Sequence, residues 1–232
     1  MNRIGDDIKL QVWDLPTRIF HWCLVLAVGT GWATGGDDSQ LWFAVHRAAG
    51  YTVLALLIFR LIWGIAGTRH ARFSEFVRPW SVVRHYTKQL MTLRPPHSVG
   101  HNPLGGWMIV LLLVILVATD TAGLFTAVTR NGIETAGPLA HYISPELARA
   151  LRQLHETFFN ILLVLVCIHV AGVVTDILLT RDNLIAAMIT GYKSARGRAN
   201  AEPAGPAGPV PVIAAILAIA VGVAAVVIIT SL

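Results

Sequence analysis

LRQLHETFFNILLVLVCIHVAGVVTDILL, residues 151–179, decides how the chain is read. From Phe158 to Leu179 it is a predominantly apolar run of the length that crosses a bilayer, about 20 residues. Two histidines, His155 and His169, sit in this stretch fourteen positions apart. In a helix that spacing returns to within about 40° of the same face after a rise of roughly 21 Å. One helix therefore aims two imidazoles at one side, one toward each membrane surface. Ionisable groups in an apolar helix are costly, so each is a functional candidate.

Four more apolar blocks flank this one, at about 15–36, 41–64, 104–125 and 210–230. The whole chain of 232 residues is 55% hydrophobic and only 13% charged, against about 25% charged in an ordinary soluble domain. The expected fold is all-α: an integral membrane four-helix bundle over 1–195, a Pro/Ala/Gly linker at 196–209, and one extra C-terminal transmembrane helix at 210–232. Asp14 and Pro16 suit the start of the first helix, and Asp37 and Asp38 its end. Ser144-Pro145-Glu146 starts the fourth, which is long enough to protrude at that end. The small residues Ala218, Ala220, Gly222, Ala224 and Ala225 leave two readings of the last helix, a close helix contact or a plain anchor. The acidic residues and Pro16 ahead of the first block do not make a secretory signal, so that helix is expected to be retained.

Of the 18 basic residues, all but Arg47, Arg130, Arg149 and Arg152 fall on one side of the alternating spans. The positive-inside rule then places the N-terminus in the cytoplasm and the C-terminus outside. The net charge of +5 is accounted for by these loops, and no nucleic-acid partner is expected. The partner of the apolar surface is membrane lipid. Cys23 and Cys167 lie in apolar blocks, and no CxxCH occurs. That pattern excludes covalent c-type haem attachment, and both read as small buried hydrophobes.

Five of the nine histidines, His70, His85, His97, His101 and His141, lie in loops or near interfaces and read as solvated or headgroup-facing. His21 opens the first helix and His46 the second, so by depth His21 pairs with His169 and His46 with His155. Paired imidazoles across a bundle core suit an iron porphyrin. Arg18, Arg47 and Arg152 lie within one turn of a histidine, where they would meet anionic propionates or simply snorkel to the interface.

The stretch VWDLPTRIFHW (12–22), the segment His46-Arg47-Ala48-Ala49-Gly50-Tyr51, the run Arg60-Leu61-Ile62-Trp63-Gly64, the turn Asn102-Pro103-Leu104-Gly105, and Leu154-His155-Glu156 followed by His169-Val170 together resemble the bacterial cytochrome b561 family. That family includes the cytochrome b subunit of nickel–iron hydrogenases. The resemblance implies a four-helix core in the bacterial inner membrane with two non-covalent, bis-histidine b-type haems on His21, His46, His155 and His169. It also implies electron exchange between quinone and a partner such as a c-type cytochrome or a hydrogenase, so an electron-transfer subunit rather than a stand-alone enzyme. One branch of similar fold acts on superoxide and quinone. The linker and fifth helix depart from the family pattern. A rival class, a metal or proton transporter, would need carboxylates beside the histidines, and only Asp120, Glu156 and Asp176 are available.

Overall fold

The computed structural model describes residues 9–36, 39–96, 98–130, 133–194 and 209–231. In chain order the elements are β1 (Lys9–Gln11), α1 (Leu15–Thr34), α2 (Gln40–Ala66), α3 (Phe73–Phe76), α4 (Trp80–Met91), α5 (Pro103–Leu124), β2 (Ala127–Arg130), β3 (Ile133–Ala136), α6 (Pro145–Thr180), α7 (Leu184–Thr190), β4 (Tyr192–Ser194) and α8 (Pro209–Ser231). The linker expected at 196–209 lies outside the described residues but for Pro209, and so do Asp37, Asp38 and His97.

Polar caps set the helix starts. The Asp14 carboxylate accepts from Thr17 N at 2.7 Å, Asn102 Oδ1 from Gly105 N at 2.7 Å, and Ser144 Oγ from Leu147 N at 3.3 Å. Each cap precedes a proline in the first turn, where the missing N–H has no intrahelical partner to lose.

Among the described helices, α2, α5, α6 and α8 are long and apolar enough to cross a membrane. At 20 residues α1 is also long enough, but Arg18, His21 and its Thr and Gly residues dilute its hydropathy. It lies along α2, and α5 lies along α6. The 36 residues of α6 span about 54 Å, well beyond a hydrocarbon layer of about 30 Å. Its first turns carry the Arg149–Glu146 and Arg152–Glu156 ion pairs, so the polar N-terminal end is the part that protrudes.

The main core joins all five long helices through Phe20, Ala27, Val53, Leu57, Trp63, Leu113, Leu116, Leu162, Ala215 and Ala218. The last helix is therefore in close contact with another. A Cβ on Gly222 would come within 2.7 Å of the Ala55 carbonyl oxygen, so the backbones of α8 and α2 approach as only small residues allow.

A second, smaller core sits where α1 begins. β1 pairs antiparallel with β4, matching Leu10 with Lys193, and Leu10, Val12, Trp13 and Ala187 bury together. Gly191 makes the turn at φ +91, a conformation that suits glycine. Its carbonyl accepts from the amides of Val12 and Trp13 at 2.8 and 3.1 Å. The segment before α1 and the one after α6 thus lie on the same side of the bundle.

Candidate functional site

The bundle brings the rings of His46 and His155 together, edge to face. Their ring centroids lie 6.1 Å apart with the planes at 78°. His46 Nδ1 lies 2.9 Å from the Gly31 carbonyl oxygen and His155 Nδ1 2.8 Å from that of Thr119. A carbonyl only accepts, so in both rings Nδ1 carries the proton and donates. The lone pair is left on Nε2, the tautomer a metal ligand needs. The rings line a cavity of about 460 Å³, within the range of cofactor-sized sites, roughly 300–1,000 Å³. Gly31, Gly35, Gly50 and Gly123 keep its walls thin.

Arg47 and Arg152 line the same cavity. The Arg47 guanidinium lies 5.8 Å from the Phe43 ring centre, and Arg152 Nε donates to Glu156 at 2.9 Å. Asp120 joins them from α5, its Oδ2 buried with no hydrogen-bond partner among the described residues. In the sequence alone Asp120 is a candidate only as a transport carboxylate. The signal for a place in the site was that it is the sole acidic residue in its apolar block.

At the other end, His21 and His169 lie within electrostatic reach of each other. His21 Nδ1 is buried and, unlike that of His46 or His155, has no hydrogen-bond partner among the described residues. Arg18, one turn earlier, donates to the Ile189 carbonyl of α7, and the Trp22 indole donates to Met188 O at 3.3 Å. Arg18 thus fastens α7 beneath this pair. Of the two depth pairs expected from the sequence, the helices set the rings of His46 and His155 side by side.

His101 corrects an expectation. Its place outside the apolar blocks predicts a solvated or headgroup-facing ring, yet its ring centre lies 4.4 Å from that of Trp13 and 4.9 Å from that of Phe76, and its Nδ1 is shut off from solvent. Burial, then the positive charges of Arg60 and Lys193, push its pKa down to about 3. It stays neutral at physiological pH. The aromatic residues that enclose it come from β1–α1 and α3, which no local pattern around residue 101 reveals.

The 6.1 Å separation of the two rings and their Nδ1–H tautomers fit a haem-binding site. Among the described residues no group of three or more His, Cys, Asp or Glu is placed to hold a bare metal ion. The family model for prokaryotic cytochrome b561 matches residues 12–191.

This chain belongs to the prokaryotic cytochrome b561 family.

As a b-type cytochrome it is a haem protein of membrane electron transport. It is 26% identical over 227 residues to a probable Ni/Fe-hydrogenase B-type cytochrome subunit of Rhizobium leguminosarum bv. viciae, covering 82% of this chain and 91% of that protein. It is 24% identical to the subunit of the same description from Azotobacter vinelandii, covering 82% and 91%. It is 23% identical to the probable Ni/Fe-hydrogenase 1 B-type cytochrome subunit of Escherichia coli (strain K12), covering 81% and 92%. No solved structure matches the chain.

Proposed function

We propose that this cytochrome b561 conducts electrons across the bilayer through two non-covalent b-type haems, one between His46 and His155 and the other between His21 and His169. The observation that carries the reading is the facing of His46 and His155, each fixed as the Nδ1–H tautomer by a backbone carbonyl. Bound haem supplies one-electron iron chemistry. The chain's residues do the rest. Gly31 and Thr119 orient the two imidazoles and raise their basicity. Arg47 and Arg152 offer cationic partners to propionate carboxylates at the cavity rim. The packed apolar helices keep water from the conducting path. The electrostatic reach between His21 and His169 at the other end of the bundle supports the second site.

The electrons pass between the quinone pool and a redox partner, a hydrogenase-like enzyme or a c-type cytochrome. The relatives named as hydrogenase subunits support the first of these partners. The basic-residue distribution supports a cytoplasmic N-terminus and a periplasmic C-terminus in the bacterial cytoplasmic membrane. The chain is a conducting subunit, and any substrate chemistry beyond quinone belongs to its partner.

The test is the reduced-minus-oxidised spectrum of the purified chain with a pyridine haemochrome assay. The reading expects two haem b per chain and reduction of both by a quinol. One haem per chain would remove the second site. A chain that binds no haem but retains a transition metal would favour transport instead.

A further inference from the structure

The basic segment between α2 and α5 holds a helix that electron transfer does not use. In α4 (Trp80–Met91) Val83 and Tyr86 are buried, at 1% and 4% exposure, and the helix packs on α5. Its opposite side is a mixed stripe. At about 100° per residue, Trp80, Met91, Arg84 and Lys88 fall within roughly 80° of arc. Trp80 is 70% and Met91 79% exposed, and neither Arg84 nor Lys88 has an ion-pair partner among the described residues. From 77 to 94 the sequence has Arg78, Arg84, Lys88 and Arg94 and no acidic residue.

The depth of α4 is fixed as well. The Trp107 indole, in the first turns of α5, donates to the Arg78 carbonyl at 2.9 Å. That bond ties the start of α4 to the end of a membrane-crossing helix, where the hydrocarbon gives way to headgroups. Trp80 and Trp107 then lie near one level, as aromatic residues do at a membrane interface.

We infer that α4 is an interfacial helix whose exposed stripe binds a bilayer surface carrying anionic phospholipid headgroups. Trp80 and Met91 enter the acyl boundary while Arg84 and Lys88 reach the phosphates. Charge complementarity selects this occupant. A protein partner would place the unpaired cations against counter-charges of its own and would be insensitive to lipid composition. Each cation near an anionic surface contributes about a fivefold preference at low salt.

The test uses the full chain in vesicles of phosphatidylcholine alone and of phosphatidylcholine mixed equally with phosphatidylglycerol, with either lipid brominated to quench tryptophan. The inference expects stronger quenching by brominated phosphatidylglycerol than by brominated phosphatidylcholine in the mixed vesicles, with the excess weakening as salt rises. The excess should fall in Trp80→Phe, leaving the share that Trp107 reports. In Arg84→Gln/Lys88→Gln the preference should fall roughly thirtyfold. The haem spectrum reports that the variants are folded. Equal quenching by both lipids in the wild type overturns the inference without any variant. An excess that is undiminished in Trp80→Phe also overturns it.

Discussion

The Trp63 indole N–H donates to the Asp14 carboxylate at 3.1 Å, joining the first turn of α1 to the last turn of α2. Asp14 also caps α1 through Thr17 N and accepts from the Thr68 hydroxyl. Trp63 is fully buried and Asp14 is 8% exposed, so no water replaces a lost partner. Asp14→Ala should cost about 2–4 kcal/mol, combining a lost cap with a stranded indole N–H. Asp14→Asn keeps an acceptor and should cost less. Thermal unfolding in detergent checks both; equal stability of Asp14→Ala and wild type would contradict the role.

A methyl group beside the upper histidine pair should disturb one site only. A Cβ on Gly123 would lie 3.0 Å from His155 Nδ1, the atom that donates to Thr119 O. Gly123→Ala should displace that donor and weaken haem retention there by about 10–100-fold, the usual effect of losing a partner that orients a metal ligand. The component assigned to His21 and His169 should keep its potential. Redox titration of the membrane fraction reads both, and an unchanged pair of potentials would contradict the packing.

The last helix should be separable from haem binding. α8 contributes Ala215 and Ala218 to the core but contains no histidine. Truncation after Gly197 should leave both haems bound and lower stability. Gly222→Leu, which overpacks the contact with Ala55, should lower it by about 1–3 kcal/mol. Haem quantification and thermal unfolding decide it; loss of haem on truncation would make α8 part of the cofactor core.

Orientation is read by impermeant thiol labelling in intact cells, with Cys23 and Cys167 replaced by Ala. Arg69, in the loop between α2 and α5, has a 74% exposed side chain, and Tyr142 is 59% exposed; they lie on the expected cytoplasmic and outer sides. Tyr142→Cys should label and Arg69→Cys should not. The opposite pattern would invert the topology.

Most of the fold was legible because membrane helices announce themselves by length and composition. The blocks read at 15–36, 41–64 and 104–125 differ by only a few residues from α1, α2 and α5, since Asp14, Ser39 and Asn102 mark their starts. The pairing of His46 with His155 was legible from the fourteen-residue period on α6 and the alternation of the spans. The helix α4 was missed because its apolar face is narrow and the basic residues around it read as loop. The β1–β4 pairing joins segments more than 180 residues apart and has no local signature. The burial of His101 and the place of Asp120 depend on neighbours contributed by other elements, which a one-dimensional pattern does not contain.

The central claim is that four histidines hold two haems as pairs of equal depth. Redox titration with haem quantification of His21→Ala, His46→Ala, His155→Ala and His169→Ala tests it most directly. Loss of one axial ligand should empty or strongly perturb one site, so haem content should fall by about half in each variant. His46→Ala and His155→Ala should lose the same redox component, and His21→Ala and His169→Ala the other. Loss of the same component in His21→Ala and His155→Ala would contradict the account.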